Sequence, residues 1–144
     1  MSQSNTHSVS VAGVIIDDAG RALLTQRRDN GHWEAPGGVL ELHEDINAGL
    51  RREIEEETGL QIEPLALTGV YKNMARGIVA LVFRCKVTGG HLVETDEAKA
   101  FCWAHEDKVV ALAPEAFAVR VLDAMWFKGS PAVRHHDGTY LLGT

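Results

Sequence analysis

The stretch RREIEEETGL, residues 51–60, constrains the fold more than any other part of the chain. It ends a predicted helix that begins after Asp45, a good N-cap residue, and stops at Gly59, which can adopt a left-handed conformation. Glutamates crowd its last turns, although like charges three or four residues apart weaken a helix by roughly 0.2–0.5 kcal/mol per pair. Negative charge at this end also opposes the helix dipole. The pattern therefore predicts a positively charged partner for these carboxylates.

A helical projection indicates where the glutamates point. At about 100° per residue, the apolar stripe that faces the core contains Ile46, Leu50 and Ile54. Glu53 and Glu57 fall inside or next to this stripe and Glu56 lies beside them, whereas Glu55 falls on the opposite face. Carboxylates are seldom buried without a partner, and one guanidinium, that of Arg52, cannot neutralise three of them. Oxygen ligands of this kind favour a hard divalent cation, Mg²⁺ or Mn²⁺.

Residues 38–60, GVLELHEDINAGLRREIEEETGL, resemble the Nudix box. All nine defined positions of that box are matched, by Gly38, Glu44, Arg52, Glu53, Ile54, Glu56, Glu57, Gly59 and Leu60. The resemblance implies an α/β fold, an α/β/α sandwich with a mixed β-sheet between helices. It also implies hydrolysis of a nucleoside diphosphate linked to another moiety, with Mg²⁺ as the cofactor and Mn²⁺ as a substitute.

The usual roles of the box carry over to the matching residues. Glu56 and Glu57 would be the principal metal ligands, and Glu53 a further ligand or the base that deprotonates water. Arg52 would hold the Glu53 or Glu56 carboxylate in position. The resemblance thus implies that Arg52, Glu53 and Glu57 are catalytic, because metal ions neutralise the diphosphate and a carboxylate removes a proton from the attacking water.

Residues outside the helix complete the expected site. Gly37 and Gly38 let the loop backbone approach closely, and the Gly37 carbonyl is a candidate metal ligand, with Gly38 beside the substrate. Some family members add a ligand or base from a loop a few residues before a Trp. Glu97, ahead of Trp103, is our candidate, and a solvated acidic loop is the alternative.

Three further residues are candidates for binding the substrate. Arg27 and Arg28 end a predicted strand near the box loop and could clamp phosphates. The alternative is that one of them is surface charge only. Trp33 could stack on a base, with a packing role as the alternative.

The substrate class follows only by elimination. ADP-ribose hydrolases of the family carry a Pro some way past the box, but Pro64 is too close and Pro114 too far. Dinucleoside polyphosphate hydrolases carry a Tyr there, and Tyr71 comes early. A MutT-like (d)NTP pyrophosphohydrolase is therefore the preferred interpretation, with hydrolases of ADP-ribose, nucleotide sugars or dinucleoside polyphosphates as alternatives. A non-catalytic nucleotide-binding regulatory module of the same fold is a further alternative.

The remaining chain reads as one domain with short ends. We expect a flexible N-terminus at residues 1–7, the Nudix domain at 8–128 and a C-terminal tail at 129–144. Strands are predicted at 8–16 and 22–28, joined as a hairpin, and at 63–71, 77–87 and 98–104, with a last helix opened by Pro114. In the tail, Asp137-Gly138 suggests a turn, and His135 and His136 are expected at the surface.

Composition and charge indicate where such a domain is located and which partners it can bind. A net charge of -6 argues against a nucleic-acid footprint, which needs clustered Lys and Arg. The N-terminus has no signal-like apolar run, so we expect a cytoplasmic protein without a membrane partner. The two cysteines, Cys85 and Cys102, lack metal spacing and are expected as free, buried thiols. The resemblance leaves a homodimer possible, and the expected partner is a small nucleoside diphosphate derivative.

Overall fold

This computed structural model describes residues 5–143, which form eight strands and three helices joined by turns and loops. In chain order they are β1 (Ser8–Ile15), β2 (Ala22–Arg27), β3 (Trp33–Glu34), β4 (Gly37–Val39), α1 (Ile46–Thr58), β5 (Leu60–Asn73), β6 (Ile78–Gly90), β7 (Ala98–Ala104), α2 (Glu106–Leu112), α3 (Glu115–Met125) and β8 (Ala132–His136). None of these helices has the length and apolar character that crossing a bilayer requires.

The strands form two sheets. The larger is mixed and five-stranded, in the order β4-β1-β6-β5-β8, with β1 parallel to β6, β8 parallel to β5, and the other two pairs antiparallel. The smaller is antiparallel, in the order β3-β2-β7. Helix α1 packs against β1, β4 and β5, whereas α3 packs against β1, β5 and β6.

Two apolar cores lie on opposite faces of the sheets. Alternation along β1 sends Val11 into one core with Ile54 of α1, and Val14 into the other with Val121 of α3. A sheet with both faces covered by helices is the α/β/α sandwich that the resemblance implied, and the fold class is confirmed.

The predicted strands and cysteines agree well with the structure, but one predicted pairing is wrong. Residues 8–16 and 22–28 do not form a hairpin, because β1 belongs to the five-stranded sheet and β2 to the three-stranded one. Only an isolated bridge between Ile16 and Ala22 joins them. Cys85 and Cys102 are both free thiols, Cys85 buried and Cys102 partly buried.

The C-terminal part departs further from the sequence predictions. A short helix, α2, precedes the one that Pro114 opens. Within the predicted tail, β8 forms the edge strand beside β5, and the chain turns back after it, with a bridge between His136 and Leu141. The expected surface position of His136 is wrong because its side chain is fully buried. Of the predicted flexible N-terminus, residues 1–4 lie outside the described part, and residues 5–7 have no regular structure.

Candidate active site

Helix α1 carries the acidic cluster and is fixed at both ends. The Asp45 carboxylate accepts a hydrogen bond of 2.8 Å from the backbone N–H of Ala48, as an N-cap should. Gly59 ends the helix in the left-handed conformation, with φ of 83°. The core stripe holds for Leu50 and Ile54, which are buried, but not for Ile46, which is 41% exposed.

Glu57 is the most deeply placed carboxylate of the cluster and is only 5% exposed. Its Oε1 accepts a hydrogen bond of 2.9 Å from the Thr25 hydroxyl, and its Oε2 accepts one of 2.9 Å from the backbone N–H of Gly37. Burial raises the pKa of Glu57 to about 7, the two hydrogen bonds oppose this rise, and the nearby carboxylates of Glu34 and Glu97 add to it. Glu57 is thus a buried carboxylate that forms no ion pair with any residue of the described part, 5–143, and the Arg27 guanidinium acts on it only from a longer distance.

Glu53 lies one helical turn earlier, against Gly38, which belongs to strand β4 and not to a loop. A side chain on residue 38 would overlap the Glu53 carboxylate, so β4 can lie this close to α1 without displacing that carboxylate only because residue 38 is glycine. Burial raises the pKa of Glu53, Arg52 opposes this rise, and the carboxylates of Glu97 and Glu56 reinforce it. The Glu56 side chain is 53% exposed and faces the rim of the same cluster.

Arg52 links the carboxylates of the cluster to the loop before the helix. It donates hydrogen bonds of 2.8 Å to Glu53 and 3.2 Å to Glu56. Its Nε donates at 2.8 Å to Glu44, and its Nη2 donates at 3.3 Å to the Val39 carbonyl. The guanidinium therefore orients both helix carboxylates, but it does not reach Glu57.

The loop between β6 and β7 brings Glu97 close to the carboxylates of α1. The Thr95 hydroxyl donates a hydrogen bond of 2.9 Å to the Glu57 carbonyl at the end of α1, and the same oxygen accepts bonds from the backbone N–H groups of Glu97 and Ala98. The Glu97 carboxylate is exposed and close enough to raise the pKa of both Glu53 and Glu57. Four carboxylates, of which Glu57 is buried and Glu97 exposed, therefore lie near one another.

The two arginines at the end of β2 are both engaged with acidic or carbonyl groups. Arg27 donates two hydrogen bonds to Asp29, of 2.9 and 2.6 Å, and lies 3.6 Å from the Glu34 carboxylate. Arg28 donates to the Thr95 carbonyl at 2.8 Å, while its contact with Glu94 is a loose 3.7 Å. Arg28 is thus tied to the loop that carries Glu97, and its charge is the less fully neutralised of the two.

Trp33 and Glu34 form the short strand β3, which pairs with β2. Trp33 is partly buried and packs against the core on the α3 side. Burial raises the pKa of Glu34, and the guanidinium groups of Arg27 and Arg120 oppose this rise. The Glu34 carboxylate is thus half-buried, and it lies close enough to Glu57 to raise the pKa of that residue.

The donor set suits a hard divalent cation. Glu53, Glu56, Glu57 and the Gly37 carbonyl offer oxygen alone, which favours Mg²⁺ or Mn²⁺ over zinc. Among residues 5–143, no three acidic, histidine or cysteine side chains converge tightly enough to enclose an ion by themselves. A cation held here would keep positions for water or phosphate oxygens, which is how Mg²⁺ is usually bound.

Several polar residues that lie near the carboxylate cluster are not predicted by any pattern in the sequence. Thr25, Glu34 and Thr95 lie far from α1 in the chain and meet it only through the fold. Thr25 left a weak signal, because it is a polar residue at the end of the apolar run ALL in β2. Nothing in the sequence distinguished Thr95 from its acidic neighbours.

Comparison with known proteins identifies the family of the chain. The family model described as NUDIX domain matches residues 6–124. A MutT-like protein of Streptomyces ambofaciens is 53% identical over 136 residues, which cover 94% of this chain and 88% of that protein. An ADP-ribose pyrophosphatase of Methanocaldococcus jannaschii is 37% identical over 64% of this chain, and the match spans 58% of its length.

A solved structure extends the agreement to three dimensions. The crystal structure of a MutT protein from Methanosarcina mazei Go1 superimposes with a TM-score of 0.73 at 25% identity, covering 85% of this chain and 96% of that one. The chain therefore belongs to the Nudix family. Within the family it is a Nudix hydrolase of the MutT-like or ADP-ribose pyrophosphatase type, and such enzymes act on nucleoside diphosphate derivatives.

Proposed function

We propose that this chain is a Mg²⁺-dependent nucleoside triphosphate pyrophosphohydrolase of the MutT-like type. The observation that carries the proposal is the buried Glu57, which has two hydrogen-bond donors but no ion pair within residues 5–143, next to Glu53, Glu56 and Glu97. A buried carboxylate of this kind is costly unless a cation neutralises it. The carboxylates gathered here supply a site for that cation.

Each residue has a distinct task in this proposal. Glu56, Glu57 and the Gly37 carbonyl are the metal ligands, with Glu53 as a further ligand. Mg²⁺, when bound, offsets the negative charge of the diphosphate and lowers the pKa of the attacking water. Arg52 holds the Glu53 and Glu56 carboxylates in place through hydrogen bonds of 2.8 and 3.2 Å.

Two carboxylates compete for the role of general base. Burial and the charges of Glu97 and Glu56 raise the pKa of Glu53, which makes it a stronger proton acceptor. Glu97 is exposed on the loop before β7 and is the second candidate. Their separate substitution to Gln assigns the base, because loss of the base removes the acidic limb of the pH–rate profile as well as lowering kcat.

On the substrate side, Arg28 is our candidate for a phosphate contact. Its ion pair with Glu94 is long, at 3.7 Å, and is easily exchanged for a phosphate oxygen. Arg27 is instead engaged by Asp29 and Glu34, so we assign it a structural role. The partial burial of Trp33 supports packing rather than stacking on a base, and Gly38 leaves room for the Glu53 carboxylate itself, which supports a role in positioning Glu53.

The substrate class is proposed from similarity over the whole chain. The MutT-like protein matches 94% of this chain at 53% identity, which favours a nucleoside triphosphate. ADP-ribose is the second candidate, because a relative named as an ADP-ribose pyrophosphatase is 37% identical over 64% of this chain.

A nucleotide panel tests both candidates. Canonical and oxidised (d)NTPs, ADP-ribose, NADH, dinucleoside polyphosphates and nucleotide sugars are incubated with Mg²⁺, Mn²⁺ or EDTA, and released pyrophosphate, phosphate and nucleoside monophosphate are measured. We expect a metal-dependent release of pyrophosphate from an NTP. Release of AMP and ribose phosphate from ADP-ribose alone would replace the first candidate with the second.

Two variants of α1 control the panel. Glu57→Gln removes the charge of the proposed ligand and should lower turnover by about two orders of magnitude or more. Glu55→Gln makes the same chemical change on the exposed face of the same helix and should leave turnover unchanged. Equal turnover by both variants would refute the assignment of Glu57. Thermal stabilisation by a nucleotide without any turnover would indicate a binding module instead.

A further inference from the structure

We infer that Thr25, which lies on β2 outside the 38–60 segment, is a positioning residue for the Glu57 carboxylate. Thr25 is fully buried, and its hydroxyl oxygen lies 2.9 Å from Glu57 Oε1. The inference rests on the proposed function, in that it takes Glu57 to be a metal ligand. It assigns to Thr25 the task of presenting that carboxylate in one orientation.

The single hydroxyl proton of Thr25 has two possible acceptors. The Glu34 carbonyl oxygen lies at 3.2 Å and the Glu57 carboxylate at 2.9 Å. An ionised carboxylate is the stronger acceptor, and hydrogen bonds to it are shorter and roughly twice as strong as neutral ones. The proton therefore goes to Glu57 whenever that side chain is charged, which is its state as a metal ligand.

The second oxygen of Glu57 is fixed from the other side. The backbone N–H of Gly37 donates to Oε2 at 2.9 Å. With one donor on each oxygen, the plane of the carboxylate cannot turn about its last bond without breaking both hydrogen bonds. Each carboxylate oxygen has two lone pairs, so both oxygens keep a free lone pair for a cation.

Thr25 is well placed to hold an orientation because its own backbone is fixed. It lies in β2, the middle strand of the three-stranded sheet, opposite Glu34 on one side and Phe101 on the other. Its β-branched side chain has restricted rotation about χ1. The hydroxyl therefore occupies one position before any cation arrives, and little ordering is left to occur on binding.

A hydrogen bond from a neighbouring residue to a metal ligand has a measurable effect on metal binding. Loss of a hydrogen bond to a metal ligand usually weakens metal binding or activity by about 10–100-fold. We expect Thr25→Val, which removes the hydroxyl and keeps a similar shape, to weaken Mn²⁺ binding within this range. Thr25→Ser keeps the hydroxyl and should bind Mn²⁺ within about threefold of the unmodified protein.

Thr68→Val is the matched control. Thr68 is also buried on a strand, but its hydroxyl donates to the backbone carbonyl of Val82, at 3.2 Å, away from the acidic cluster. The Thr68→Val variant therefore measures the effect of losing a buried threonine hydroxyl that does not contact the acidic cluster. Its Mn²⁺ affinity should equal that of the unmodified protein even if its melting temperature falls.

The experiment measures Mn²⁺ binding by isothermal titration calorimetry without nucleotide, together with thermal unfolding of each variant. Turnover is then followed as a function of Mn²⁺ concentration. A positioning role predicts that Thr25→Val needs more Mn²⁺ for half-maximal turnover, while its kcat at saturating Mn²⁺ stays close to that of the unmodified protein. If Thr25→Val does not fold, Thr25→Ala takes its place in the comparison.

The outcomes separate this inference from the proposed function. Unchanged Mn²⁺ affinity in a folded Thr25→Val or Thr25→Ala variant overturns the role of Thr25 alone. An equal loss of affinity in Thr68→Val also overturns it, because a general packing effect would then be sufficient. Failure of the unmodified protein both to bind Mn²⁺ and to turn over any nucleotide in its presence overturns the proposed function and the role of Thr25 with it.

Discussion

The burial of Glu57 predicts that the metal-free protein loses stability as the pH rises, and that Glu57→Gln removes most of this loss. Glutamine has the same shape, and the structure offers it a complete set of hydrogen bonds. Its carbonyl oxygen can accept from Gly37, while its amide donates to the Thr25 hydroxyl, which in turn can donate to the Glu34 carbonyl 3.2 Å away. The variant is therefore expected to fold.

The size of the effect follows from the pKa. Burial raises the pKa of Glu57 to about 7, from an ordinary value of 4.5. The folded protein therefore binds this proton more tightly than the unfolded chain does. Its contribution to stability is fully present below pH 4.5 and is lost as the pH rises through 7. A difference of this size corresponds to about 3 kcal/mol of the free energy of unfolding at alkaline pH.

Urea unfolding in EDTA at pH 5 and pH 8 measures this contribution. We expect the free energy of unfolding of the unmodified protein to fall more steeply between these pH values than that of Glu57→Gln, by about 2.5 kcal/mol, because part of the contribution is already lost at pH 5. At pH 8 the melting temperature of Glu57→Gln should be higher by roughly 6–12 °C, at 2–4 °C per kcal/mol. Glu55→Gln, exposed on the same helix, should follow the unmodified protein.

Parallel pH dependence of the unmodified protein and Glu57→Gln would refute this reasoning. It would mean that water or a neighbouring group neutralises Glu57 in the folded state without a metal. Addition of Mg²⁺ provides a second check. The ion should restore stability to the unmodified protein at pH 8 by mass action and should do little for Glu57→Gln.

Three further predictions concern other parts of the molecule. Gly38→Ala should lower turnover by about a hundredfold with little change in melting temperature, because the new methyl group displaces the Glu53 carboxylate; normal turnover would contradict this. Tyr71→Phe should lower the free energy of unfolding by about 1–2 kcal/mol in urea titrations, because its hydroxyl donates to Asp123 at 2.7 Å. The Cys85 thiol, whose pKa burial raises to about 12, should react with a thiol reagent at pH 8 only after unfolding.

The acidic helix was the most predictable part of the fold and the site. Asp45 and Gly59 set its ends, and its periodicity sent Leu50 and Ile54 into the core. The same periodicity failed for Ile46, which is 41% exposed. Ile46 is the first residue of α1, and a sequence period cannot tell where along a helix the covering sheet stops.

Contacts between residues that are far apart in the chain could not be predicted from the sequence. Two apolar runs joined by a turn predict a hairpin, yet β1 pairs with β4 and β6, and only Ile16 and Ala22 bridge to the next strand. The contacts of Thr25 and Thr95 with Glu57 join residues 32 and 38 positions apart. Local patterns contain no information on such distances, and the burial of His136 was missed for the same reason.

The parallel pairing of β1 with β6 also bears on when the acidic helix α1 can form during folding. The pairing joins Ser8–Ile15 to residues 78–85, so α1 lies inside the long segment of chain that it closes. A 13-residue helix is marginal alone, and this one has no basic residue in its last turn to offset its glutamates. Its order therefore depends on contacts with β1, β4 and β5. We expect folding to be limited by this distant strand pairing, with the acidic helix becoming structured only as the sheet closes.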